Sequence, residues 1–169
     1  MKFVPYINQD LCFAIEIPAN WICEEPSEEE EEFTGLDFYD PIAQEKDPNF
    51  AEFLNIEIFE QDLAEDLSTP SLEEIYQDFK ESINWGKEYQ LLHEETLEIG
   101  GRKAKCLSVR LEENENNKNE VFFQKVYMLL DEIYVYQIIT TTRAHKKAEY
   151  EPIFDRIVKS FAIIEDMKN

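Results

Sequence analysis

The chain has 169 residues and a mass of 20.1 kDa, which is the size of one domain. Its 38 acidic residues outnumber 16 lysines and arginines, and the net charge of −22 argues against nucleic-acid binding because phosphate repels such a surface. The 43% hydrophobic content predicts a folded chain with a core. The sequence has no apolar run of membrane-spanning length and no basic leader, and therefore predicts a cytoplasmic protein without membrane contact.

The negative charge is concentrated in the first part of the chain. Between Asp10 and Asp66 there are 19 acidic residues and one basic residue, Lys46. The densest stretch is the series of glutamates within residues 24–32. Because so many like charges repel one another, residues 24–34 are predicted to form an acidic loop.

The N-terminal part alternates apolar and polar residues with the period of β-strands. The interval 40–53 contains two prolines and mixed polarity, and a loop is predicted there. The predicted strands are Cys12–Ile17, Trp21–Cys23, Leu36–Tyr39 and Leu54–Phe59.

A helix is predicted from Ser71, because Glu74 three residues later completes a capping box. Apolar residues then follow helical spacing as far as Ile83, and Gly86 marks the end. Beyond it, residues 89–97 and 103–111 are predicted strands, and the Gly-Gly pair between them favours a tight hairpin turn.

The last third predicts a second hairpin and a closing helix. Strands 121–130 and 133–142 have bulky apolar residues on both faces, which implies that both faces are covered. Apolar residues from Tyr150 to Phe161 follow helical spacing, with Pro152 expected in the first turn. The order of elements predicts a single α+β domain over residues 1–169, with a central antiparallel sheet flanked by helices in an α/β/α sandwich.

Three short motifs resemble those of the PsbP-like superfamily, which includes photosystem II extrinsic subunits and a Ran-binding import factor. They are FAIEIPANW at residues 13–21, IGGRKA at 99–104, and YEP at 150–152 with IVKSF at 157–161. The resemblance implies a bacterial single-domain member with a central antiparallel sheet between helices and a non-enzymatic binding or assembly role. The chain departs from that pattern in its acidic insert and in having no leader.

Signatures of catalysis are missing from the sequence. There is no GxSxG nucleophile motif, and four glycines in all form no phosphate-binding loop. His93 lies in a predicted strand beside two glutamates, and His145 precedes the last helix; both are interpreted as structural or surface residues. The chain is therefore predicted not to be an enzyme, with no catalytic residues and no cofactor.

Metal and thiol chemistry are weakly indicated. The acidic residues show no DxDxDG calcium loop, so no metal site is predicted. Cys12 and Cys23 flank the turn at Pro18, and two readings stay open: a functional thiol pair or two small core residues. With Cys106 they make an odd set that fits reduced thiols.

The favoured hypothesis is a protein-binding module, an adaptor, assembly factor or chaperone, that docks a basic partner on an acidic N-terminal face. Charge there would steer the partner, and nearby apolar residues would anchor it. The alternatives are an immunity-type inhibitor of a basic toxin, an enzyme with an unrecognised carboxylate site, and a solvated loop that only maintains solubility. The predicted binding residues are Glu28, Glu29, Glu30, Glu31, Glu32, Phe33, Asp37, Tyr39 and Asp40, and the predicted anchors add Leu36, Phe38, Phe50 and Phe53.

Overall fold

A computed structural model describes residues 1–25, 35–61, 69–132 and 134–164. These residues form two antiparallel sheets and three α-helices. The strands are β1 Phe3–Asn8, β2 Phe13–Pro18, β3 Ile22–Glu24, β4 Gly35–Tyr39, β5 Phe53–Glu60, β6 Tyr89–Ile99, β7 Arg102–Glu115, β8 Lys118–Asp131, β9 Tyr134–Arg143 and β10 Ala162–Ile163, and the helices are α1 Pro41–Lys46, α2 Leu72–Ser82 and α3 Lys147–Ser160.

The larger sheet has seven strands in the order β3-β4-β5-β9-β8-β7-β6, and the smaller has the order β1-β2-β10. Local hairpins join β6 to β7, β7 to β8 and β8 to β9. The β5–β9 pair instead joins distant segments, with Phe53 opposite Thr141. Strands β3, β4 and β5, which come from the acidic first part of the chain, therefore form one end of the large sheet.

Two apolar clusters lie on opposite sides of the large sheet. One joins α3 and β2 to Tyr127 and Leu129 of β8, whereas the other joins Tyr76 of α2 to Val126 and Met128. Successive residues of a strand point to opposite faces, so these alternating residues of β8 lie in different clusters. Both faces of the β8–β9 hairpin are therefore covered, as predicted.

The α+β class is confirmed, but a complete α/β/α sandwich is not. The small sheet and α3 pack into the same apolar cluster on one side of the large sheet. The layer on that side is therefore not purely helical. On the other side, α2 contacts β7 and β8. Strands β1 and β10 were not predicted from the sequence.

The predicted capping box of α2 is confirmed: the Glu74 amide donates to Ser71 Oγ at 3.2 Å, and the Ser71 amide donates to Glu74 Oε2 at 2.7 Å. Two helix expectations were wrong. The interval 40–53 contains α1, whose first residue is Pro41, a position where the missing proline N–H costs nothing. Helix α3 begins at Lys147, which places Pro152 beyond the first turn.

Candidate functional site

The residues predicted to bind a partner fall into two groups. Glu28, Glu29, Glu30, Glu31, Glu32 and Phe33 lie outside the described residues, as does most of the predicted acidic loop. Asp37 and Tyr39 lie in β4, and Asp40 directly follows it. The structure therefore describes the strands on either side of the acidic run.

Strand register brings several polar side chains of this region onto one face. Glu24 pairs with Asp37 and Asp37 with Asn55, while Glu57 pairs with Gly35 one row further along. Their neighbours in sequence, such as Phe38 and Ile56, point into the core on the opposite face. We call the following set the acidic sheet face: Ile22, Glu24, Asp37, Tyr39, Asn55 and Glu57.

Hydrogen bonds hold these side chains in place. The Tyr39 hydroxyl donates to Glu24 Oε2 at 2.8 Å, and Asn55 Nδ2 donates to Asp37 Oδ1 at 2.6 Å. Asn55 Oδ1 is buried and accepts no hydrogen bond from any of the described residues. Among the described residues, Asn55 Oδ1 is thus an acceptor without a donor, on the side chain that bonds the Asp37 carboxylate.

The carboxylates of the acidic sheet face have no ion-paired cation among the described residues. Among the described residues, none of the ion pairs involves Glu24, Asp37 or Glu57. Burial, and to a smaller extent the charge of Asp37, raises the pKa of the Glu57 carboxyl. The hydrogen bond to Glu24 likewise raises the pKa of the Tyr39 hydroxyl. Burial and neighbouring carboxylates therefore make ionisation of Glu57 and Tyr39 less favourable.

Asp40 is placed differently, because its carboxylate caps α1. Its Oδ1 accepts from the amide of Ile42 at 2.9 Å and from that of Ala43 at 3.4 Å. Both bonds satisfy amides that the helix itself leaves free. The structure thus gives Asp40 a local role, and its part in binding stays a prediction.

Two other acidic residues of the N-terminal part, Glu52 and Asp47, form ion pairs with Arg143. Glu52 is fully buried and forms a bidentate ion pair with Arg143, which also contacts Asp47 at 2.7 Å. Hydrogen bonds from Arg143 lower the pKa of Asp47, and the pKa of Glu52 is lowered by the same partner against the opposing effect of burial. Glu52 and Asp47 therefore have a cationic partner, which the carboxylates of the acidic sheet face lack among the described residues.

The predicted apolar anchors need correction. Leu36 and Phe38 are 3% and 0% exposed and belong to the core, so they cannot contact a partner. Phe50 is half-buried between Tyr39 and Tyr150, and Phe53 is half-buried as well. The exposed apolar side chains near this face are instead Ile22, Ile42 and Phe59. The period of two along a strand is the sequence signal that distinguishes Ile22 and Phe59 from their more buried neighbours.

The histidines offer no catalytic arrangement within the described part of the chain. His93 is exposed on β6, 3.8 Å from Glu95, and His145 is exposed in the 3₁₀ turn Ala144–Lys146. Neither histidine lines the clefts bounded by Tyr136, by Tyr89 or by Phe123. Across the same residues, no three metal-ligating side chains cluster and no helix is long and apolar enough to span a bilayer.

The cysteines are all free, and they differ in burial. Cys106 is buried, whereas Cys12 and Cys23 are half-buried. The Cys23 thiol donates to the Tyr6 hydroxyl at 3.5 Å, and the Cys12 thiol donates to the Gln9 carbonyl at 3.5 Å. The thiols of Cys12 and Cys23 thus form hydrogen bonds to different residues and not to each other.

Comparison of the fold with solved structures gives consistent matches. The solution structure of cyanobacterial PsbP from Synechocystis sp. PCC 6803 has a TM-score of 0.61 at 15% identity, over 95% of this chain and 92% of that one. LpqN, involved in cell envelope biogenesis of Mycobacterium tuberculosis, gives 0.60 at 14% identity, over 96% and 85%. The Saccharomyces cerevisiae Ran-binding protein Mog1p gives 0.59 at 11% identity, over 98% and 97%.

These matches define an α+β protein of the type found in PsbP and Mog1p. The chain has the PsbP-like fold, as the sequence motifs predicted. No protein-family model matches the sequence, and no curated protein sequence matches it significantly.

Proposed function

We propose that the chain is a non-enzymatic protein-binding module that docks a basic protein partner on its acidic sheet face. The observation that carries the proposal is the set of three carboxylates, Glu24, Asp37 and Glu57, on neighbouring strands without an ion-paired cation among the described residues. A cationic partner would supply the missing counter-charge and accelerate encounter through electrostatic steering.

The fold supports the same kind of role. Mog1p, with which the chain shares its fold over nearly its whole length, is a Ran-binding protein. The cytoplasmic location predicted from the sequence belongs to this proposal. So does a binding role for Glu28–Glu32 and Phe33, which lie a few residues after Glu24 in the chain. Exposed Ile22 and Phe59 would provide apolar contact beside the charge.

The experiment is affinity capture from the native cell at low salt, followed by elution in a salt gradient. A triple variant, E24Q/D37N/E57Q, removes three negative charges and keeps the shapes of the side chains. The matched control, E81Q/E98Q/E113Q, changes the net charge equally at exposed sites on α2, β6 and β7.

We expect the wild type and the control variant to retain basic proteins to the same salt concentration. The sheet-face variant should release these proteins at lower salt. Retention that is equal in both variants, or that does not change with ionic strength, would contradict the proposal. A captured basic toxin would identify the partner class as that of an immunity-type inhibitor.

A further inference from the structure

A concave site, separate from the acidic sheet face, lies where the β1–β2 turn meets the β8–β9 turn. This turn cleft has a volume of about 380 Å³, within the range of small-molecule sites. It lies beside the end of β5 and on the other side of that strand from Glu57, because Ile58 lines it. The residues that matter for its chemistry are Asp10, Leu11, Ile58, Glu132, Tyr134 and Tyr136.

The walls of the turn cleft are fixed by the backbone. Cys12 and Glu132 have φ values of 55° and 53°, in the left-handed region that non-glycine residues adopt only when the surrounding structure imposes it. The Tyr136 hydroxyl donates to the Leu11 carbonyl at 3.1 Å, and the Ile164 amide donates to the Cys12 carbonyl at 2.8 Å. These hydrogen bonds hold the β1–β2 turn against β9 and against the residue that follows β10.

The lining combines apolar surface with negative charge. Leu11 and Ile58 supply hydrocarbon, while Asp10 and Glu132 supply two carboxylates that take part in none of the ion pairs of the described residues. The neighbouring cation, Arg102, is 3.3 Å from Asp131 in an ion pair of its own. The described residues that line the cleft include no lysine or arginine.

Two tyrosines complete the site. The Tyr134 side chain is 36% exposed, and an accessible aromatic face attracts cations. The Tyr136 oxygen, whose hydrogen is donated to Leu11, retains lone pairs that can accept from a ligand. The carboxylates, the aromatic face and the hydroxyl acceptor suit a cation. The apolar wall suits a hydrocarbon stem that carries it.

We propose that the turn cleft binds an ammonium or guanidinium group carried by a short hydrocarbon stem. The stem packs on Leu11 and Ile58, and the charged head lies between Asp10 and Glu132 near the Tyr134 ring. The proposal stands without the docking role of the acidic sheet face, since the two sites share no residue.

The test is a titration of the isolated protein with butylguanidinium, followed by amide NMR, against the neutral isostere butylurea. We expect saturable shifts at Leu11, Cys12 and Glu132, and affinity for the cation at least about fivefold above that for the urea, because hydrogen bonds between ions are the stronger ones. Equal affinity for both probes would overturn the proposal.

Variants locate the binding. Asp10→Asn with Glu132→Gln removes both charges, and Gln at position 132 has the same backbone preference as Glu, so the turn is retained. Glu81→Gln on α2 is the single-charge control. We expect the double variant to lose at least about fivefold in affinity and the control to keep it. Loss of binding in E24Q/D37N/E57Q instead of in the double variant would overturn the proposal, whatever the outcome of partner capture.

A final arm separates the two sources of such a cation. Gly-Arg-Gly, blocked at both ends, is compared with the same peptide containing citrulline. Selective binding of the arginine peptide with shifts in the turn cleft indicates that a protein side chain enters. Exclusion of the peptide while butylguanidinium binds indicates a free small cation. Shifts confined to other surfaces with both probes would overturn the proposal.

Discussion

Arg143 and Glu52 form a buried bidentate ion pair that joins the end of β9 to the start of β5. Arg143 Nε donates to Glu52 Oε1 at 2.7 Å and Nη2 donates to Oε2 at 2.8 Å, and the two residues are 4% and 0% exposed. The Arg143 amide also donates to Glu52 Oε1 at 3.3 Å. The pair therefore anchors the acidic end of the large sheet to its centre.

Replacing Glu52 with Gln should destabilise the fold by roughly 3 kcal/mol, because Arg143 would keep a buried charge with the more exposed Asp47 and Glu120 as its remaining carboxylate partners. Urea denaturation followed by circular dichroism measures the loss. Glu120→Gln is the control: Glu120 is 3.9 Å from the same guanidinium and 42% exposed, so its loss should cost less than about 1 kcal/mol. An equal loss of unfolding free energy in the two variants would show that the buried ion pair contributes no more to stability than the exposed one.

Local patterns predicted the hairpins and α2 because their contacts repeat along short stretches of chain. The turn at Gly100 and Gly101 has φ values of 57° and 78°, as a two-residue hairpin of this kind needs. The small sheet is different, since β10 pairs with β2 through Ala162 and Ala14, at opposite ends of the chain. Nothing in the local sequence specifies that pairing.

The candidate sites were predictable to a similar degree. The alternation of Asp37 and Tyr39 with buried Leu36 and Phe38 is a period-two signal that the sequence contains. In contrast, the Arg143–Glu52 pair joins residues 91 positions apart and is set by the register between β5 and β9. The turn cleft also depends on distant segments and could not be foreseen.

Gly100→Ala should destabilise the protein more than Gly101→Ala, by about 2 kcal/mol. A Cβ at position 100 would lie 2.6 Å from the Phe161 carbonyl oxygen, whereas one at position 101 has no atom within 4 Å. Both substitutions impose the cost of a left-handed alanine, about 1–2 kcal/mol, so the difference isolates the steric term. Paired urea titrations measure it, and equal losses would contradict the close approach.

Native Cys106 should resist modification by a thiol reagent. Burial raises the pKa of its thiol to about 12, and the thiolate is the reactive form. We expect Cys12 and Cys23, both half-buried, to react in the folded protein, and Cys106 to react at the rate of unfolding. Mass spectrometry of peptides after timed labelling distinguishes the three. Labelling of Cys106 as fast as Cys12 would be the contrary result.

Replacing Glu57 with Gln should stabilise the protein at pH 7. The pKa of Glu57 is raised in the folded state by burial and by Asp37, so folding penalises its charged form. The penalty is fully present when the pH is above the pKa of Glu57 in the folded state. It disappears as the pH falls from that pKa to below the pKa in the unfolded state, because the carboxyl is then protonated in both states.

The melting temperature of Glu57→Gln should therefore exceed that of the wild type at pH 7, and the gap should close near pH 4. Glu94→Gln provides the opposite case, because Lys80 and Tyr76 lower the pKa of Glu94; its loss should destabilise at pH 7 and matter less in acid. A gain for Glu57→Gln that is constant from pH 7 to pH 4 would mean that side-chain packing, and not charge, is responsible. If the gain follows the predicted pH dependence, the acidic sheet face retains a carboxylate at a cost in stability, as expected of a residue kept for binding.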